Sequence, residues 1–147
     1  MLRRYADRGI FTEFEEQPGR GGTWSAQFRW MLPRPMKLVA DPARGRLSCP
    51  DLLPGIKARS PLHLAIETFL LEREDATLPE HRRVDPARAR VRCTQRAGRI
   101  SVALEPQDSA EWAYAAGKLV NLVHELQLFL NVYWPDYAQQ ALGAPLE

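Results

Sequence analysis

With 147 residues, 45% of them hydrophobic and 26% charged, the chain has the make-up of one folded domain over residues 1–147, which excludes disorder as a global description. A formal net charge of +2 is too small to draw the whole molecule onto nucleic acid or a membrane surface. Cys49 and Cys93 lack CxxC spacing, no apolar run reaches membrane-spanning length, and Met1-Leu2-Arg3-Arg4 lacks the apolar stretch of a signal peptide, so a cytoplasmic, reduced, membrane-free protein is expected.

The first elements read as a hairpin. Ile10, Thr12 and Phe14 alternate with Phe11, Glu13 and Glu15, and Trp24, Ala26, Phe28, Trp30 and Leu32 alternate with polar residues, as half-buried strands should. The turn lies over 17–22, and Pro33 and Pro35 end the unit. A second hairpin spans 36–49 and turns at Asp41-Pro42-Ala43-Arg44-Gly45, where proline presets φ and glycine accepts a positive one. Pro50 and Pro54 then lead into a loop.

Ser60 before Pro61 is an N-cap followed by proline at the first helical position, so a helix is expected over 61–73. The polar stretch 75–87, interrupted by Pro79 and Pro86, reads as a mobile connector. A third hairpin follows, and here the register can be read. A two-residue Ala97-Gly98 loop sets Cys93 opposite Val102, Val91 opposite Leu104 and, on the wet face, Arg90 opposite Glu105. The last helix begins at Asp108 or Ser109 and runs to Tyr133 or Trp134. Pro135 then breaks it, and a short helical turn over 136–142 stops at Gly143.

These elements imply an α+β fold, a two-layer sandwich of an antiparallel sheet (about six strands in three hairpins) with two main helices. The near-match of Gly45-Arg46-Leu47-Ser48 with Gly98-Arg99-Ile100-Ser101 suggests a duplicated ββα unit.

Trp112, Ala115, Leu119, Leu122, Leu126, Phe129 and Tyr133 form a core stripe at helical spacing, widened by Ala116, Val120, Val123 and Leu130. Leu128 and Val132 fall in the opposite, polar arc. In the first helix Leu62, Ile66, Phe69 and Leu70 make the core stripe, and Leu64 and Leu71 project from its other side. Such apolar backs need a cover, either the C-terminal tail or a symmetry mate. Trp134, at a helix end, is a candidate anchor, whereas Trp24, Trp30 and Trp112 fall on core faces.

Charge is unevenly spread. Segment 82–99 carries seven arginines (Arg82, Arg83 and Arg99 among them) against Asp85, and Arg88, Arg90 and Arg92 form a ladder that suits an anion. Aromatic platforms for base stacking are missing from the paired strand, which offers Ser101, Ala103 and Glu105. His63 and Glu67 stand one helical turn apart, but no HExxH or Cys/His cluster accompanies them, so no metal, cofactor or catalytic set is expected. The composite expectation is a non-enzymatic homodimeric interaction or scaffold module with interface candidates Leu64, Leu71, Leu128, Val132 and Trp134, open to a protein partner. The alternatives are a nucleic-acid-associated protein using the arginine segment, and a small hydrolase or metal-dependent enzyme.

Overall fold

The structure, a computed structural model, describes residues 12–18, 23–29 and 36–143. Ile10, the turn over 19–22, Trp30, Leu32, Pro33 and Pro35 lie outside the described residues. The fold is α+β, an antiparallel sheet with three α-helices. In chain order the elements are β1 (Thr12–Pro18), β2 (Trp24–Arg29), β3 (Met36–Asp41), β4 (Arg46–Leu53), α1 (Pro61–Glu72), β5 (Ala89–Arg96), β6 (Arg99–Pro106), α2 (Trp112–Tyr133) and α3 (Pro135–Leu142). Short 3-10 turns at Glu80–Arg82 and Ser109–Glu111 precede β5 and α2. Neighbouring strands follow the order β1-β2-β3-β4-β6-β5.

The β5–β6 hairpin has the expected register: Cys93 faces Val102, Val91 faces Leu104 and Arg90 faces Glu105. Its loop residues Ala97 and Gly98 both take positive φ (52° and 77°), the pair of left-handed conformations that keeps a two-residue turn in step with strand twist. Val91, Val102 and Leu104 are buried and Cys93 is half-buried. β6 joins this hairpin to the preceding one, with Leu47 opposite Leu104 and Cys49 opposite Val102. The described face of the sheet therefore carries Leu38, Leu47, Cys49, Val91, Val102 and Leu104 into the core.

Two departures from simple alternation are bulges. β1 gains an extra residue between Thr12, opposite Arg29, and Glu15, opposite Gln27. β4 does not stop at Cys49 as its prolines suggested but continues to Leu53. Pro50 has no N–H to give the ladder, and the register shifts between Cys49 and Leu53. Asp51 turns to φ 51° and donates its backbone N–H to Ser101 Oγ at 2.9 Å. The bulge lets both Leu52 and Leu53 enter the core.

α1 starts as its sequence dictates. The Ser60 Oγ accepts the His63 backbone N–H at 3.2 Å, and Pro61 opens the first turn. Ile66 and Leu70 are fully buried, with Leu62 and Phe69 packed against the same core. At the start of α2 the Asp108 carboxylate accepts the Ala110 N–H at 2.9 Å. Ala115, Leu119, Leu122, Leu126 and Leu130 then run along the sheet side of the helix. The chain breaks at Trp134 (φ −136°, ψ 55°), restarts with Pro135 at the head of α3, and stops at Gly143 in the left-handed region. α3 folds back on the core through Ala138 and Leu142, and the Tyr137 hydroxyl donates to the Pro54 carbonyl at 2.7 Å.

The connector is built into the fold rather than loose. Val84 is buried and donates its N–H to the Arg73 carbonyl at 2.8 Å, and the Asp85 N–H donates to the Tyr114 hydroxyl at 2.9 Å. Tyr133, assigned to the core stripe from its spacing, is instead exposed. It is the last residue of α2 and has Phe129 as a ring neighbour, at 5.3 Å.

Candidate functional site

Two surfaces carry the residues singled out by sequence, and the first is the arginine ladder. Strand alternation puts Arg90 and Arg92 on one face, but their side chains part company. Arg92 Nε meets Glu105 at 2.6 Å, and Arg46 closes on the same carboxylate at 3.0 Å. Arg90 turns to the sheet edge, where Glu74 takes its Nε at 3.2 Å and the Val91 backbone N–H at 2.7 Å. A carboxylate from the end of α1 thus caps part of the open β5 edge, as exposed edges require. Arg88 reaches towards α2, with its Nε 2.7 Å from Glu111 and its guanidinium 3.8 Å over the Tyr114 ring. The ladder is divided among three carboxylates on three sides of the hairpin. Arg90 lies opposite Glu105 in register, yet the ion pair goes to its diagonal neighbour. Sharing guanidiniums with carboxylates lowers the local positive potential that a phosphate backbone would use.

The Arg92 and Arg46 contacts hold the Glu105 carboxyl below the usual glutamate range, the Arg92 hydrogen bond contributing most and burial opposing. A depressed folded-state pKa stabilises the fold above the ordinary value of 4.5, and that contribution disappears as pH falls through the folded value. Glu105→Gln is therefore expected to lower Tm at neutral pH. The gap to wild type should close as pH drops below the ordinary glutamate range, read by thermal unfolding across a pH series. A gap independent of pH would contradict the charge pairing.

The second surface is the apolar back of the helices. Leu64, Leu71, Leu128 and Val132 are exposed, Val132 to 68%, and Tyr133 joins them at 70%. Phe69 of α1 stacks on Phe129 of α2 with ring centres 4.5 Å apart, and Phe129 leads on to Tyr133. Leu64, Ala65, Thr68, Phe69, Glu72 and Phe129 line an open groove of about 380 Å³ between the helices. Its lining offers few polar groups to orient a small ligand. Trp134 is half-buried, packs against the core and forms the joint between α2 and α3. Tyr133, which spacing placed inside, belongs to this surface.

Chemistry-bearing side chains do not converge. His63 is fixed by its neighbours: Nδ1 accepts the Arg59 N–H at 2.9 Å, so the proton sits on Nε2, 3.7 Å from Glu67. Burial pushes the Cys49 thiol up to about 12. Burial, with the charge of Glu67, pushes Cys93 up to about 11. Both are therefore protonated and poor nucleophiles at neutral pH. Among the described residues no three His, Cys, Asp or Glu side chains are grouped to hold a metal ion, and no helix is long and apolar enough to cross a membrane. No protein-family model, curated protein or solved structure matches the chain.

Proposed function

We propose that this chain is a non-enzymatic interaction or scaffold module that acts as a homodimer through the outer faces of α1 and α2. In this reading it is a two-layer sandwich of about six strands in three hairpins, built around a duplicated ββα unit. Both halves of that unit turn through a left-handed glycine, Gly45 and Gly98, into a strand beginning Arg-Leu or Arg-Ile. A cytoplasmic setting suits its two free thiols.

The observation that carries the reading is the apolar surface formed by Leu64, Leu71, Leu128, Val132 and Tyr133. The C-terminal helix, the intramolecular candidate for covering it, packs elsewhere, against the core and Pro54. Soluble monomers seldom tolerate a large contiguous apolar patch, and two-fold homodimers are the commonest way to cover one. The same surface, exposed on a single chain, also gives a protein partner a place to bind.

Replacing Leu128 and Val132 together with aspartate is expected to leave a folded monomer. The two side chains contribute roughly 1.5–3 kcal/mol each on full burial, so dimer affinity should fall about a hundredfold or more. Light scattering reads the mass and circular dichroism reads the fold. An unfolded double mutant would assign both residues to the core of the single chain and contradict the reading.

A further inference from the structure

A recess between the connector and α2, remote in kind from the apolar groove, gathers basic side chains that the arginine ladder does not include. Its lining includes His81, Arg82, Arg83, Lys118 and Glu125, with Arg73 closing one side. Five bases thus surround one carboxylate. The balance is less even than that ratio suggests, because the bases are not equally committed. Arg73 is engaged with Phe69, its guanidinium lying 4.2 Å over the ring and its Nε bonded to the carbonyl. Arg82 forms a loose ion pair with Glu125, its Nε 3.7 Å from the carboxylate and so beyond hydrogen-bonding distance. Among the described residues, Arg83 makes one long 3.4 Å contact, to the Ala76 carbonyl. Lys118 Nζ donates to the Glu80 carbonyl at 2.5 Å and lies 5.6 Å from the centre of the Tyr114 ring.

We propose that this recess is an anion site for the phosphoryl group of free phosphate or a small phosphate monoester, held by Lys118, Arg82 and Arg83. The interior has room for about one water molecule, so it admits one phosphoryl oxygen onto the Lys118 ammonium. The remaining oxygens stay at the rim, within the sweep of Arg82 and Arg83, where a guanidinium fork matches two oxygens at once. An ester substituent points to solvent and meets no wall. Lys118 is held below the usual lysine range chiefly by burial, with Glu80 opposing and Arg83 and Arg88 adding to the fall, so an anion at its Nζ would replace lost hydration.

The test titrates the full chain with inorganic phosphate, phenyl phosphate, sulfate and acetate at constant ionic strength, following Tm and the NMR signals of α2 around Lys118. Saturable binding of inorganic phosphate, with or without phenyl phosphate, is expected, and the two arms separate a free-phosphate site from a monoester site. Lys118→Met and Arg83→Gln should each weaken it at least tenfold, while Arg96→Gln, on the far hairpin end, leaves it unchanged. Arg83→Gln keeps the test valid where loss of the Lys118–Glu80 bond disturbs folding. Equal responses to acetate and phosphate, no saturation, or affinity unchanged in Arg83→Gln would mean an adventitious ion only and overturn the proposal.

Discussion

Leu104→Ala is expected to destabilise the fold by about 2–5 kcal/mol, the range for truncating a buried leucine. Leu104 has no exposed surface, lies between Leu47 and Val91 across two ladders, and belongs to the core that α2 covers. The cavity left by its truncation has walls fixed on three sides by sheet and helix, so collapse offsets little of the loss. A Tm fall of about 2–4 °C per kcal/mol follows for a chain of this size. Leu64→Ala provides the contrast. With about half of its surface exposed, it should change the stability of the isolated chain by no more than about 0.5 kcal/mol, both variants being unfolded in urea at low concentration. Equal losses would mean that Leu64 is not a surface residue.

Val84→Asp is expected to release the connector while the sheet and α2 stay folded. Val84 is the buried residue of the 75–87 stretch and lines the same recess as Arg73, Arg82, Arg83 and Lys118, so a carboxylate in its place loses its hydration beside bases already engaged by Glu125 and by backbone carbonyls. Desolvating a carboxylate there costs several kcal/mol, which those bases only partly offset. The chain avoids much of that by opening locally, because local unfolding is limited by the few bonds that hold the segment. Those bonds include Val84 to Arg73, Asp85 to Tyr114, Lys118 to Glu80 and Gln107 to Pro86, with the Arg82–Glu125 ion pair beside them. Hydrogen exchange should therefore rise from residue 75 to residue 87, and a protease should cut there, with β5, β6 and α2 still protected. Global unfolding in place of local release would show that the connector is part of the cooperative core.

These two expectations mark where sequence was informative and where it was not. The β5–β6 register was legible because alternation and a two-residue loop constrain each other: an odd loop sets apolar residues opposite polar ones. The outward position of Leu64, Leu71, Leu128 and Val132 was legible for the same kind of reason, since a regular helix fixes the angle of every residue. The continuation of β4 past Pro50 was not, because the bulge is held from across the sheet by Ser101, a partner 50 residues away. The connector misled because its composition is that of a loop, and the buried role of Val84 depends on Arg73 and Tyr114 being nearby. The sequence groups the arginines and pairs Arg90 with Glu105, whereas that carboxylate goes to Arg92 and Arg46 and Arg90 goes to Glu74. Their partners Glu74, Glu105 and Glu111 come from the end of α1, the neighbouring strand and the turn before α2, and only the folded chain brings them within reach.

Self-association through the helix backs is tested most directly by sedimentation equilibrium of the wild-type chain from low to high micromolar concentration. The mass is expected to rise to twice the 16.7 kDa of one chain and level there, as a closed two-fold pair should. A single species of 16.7 kDa throughout that range would contradict it.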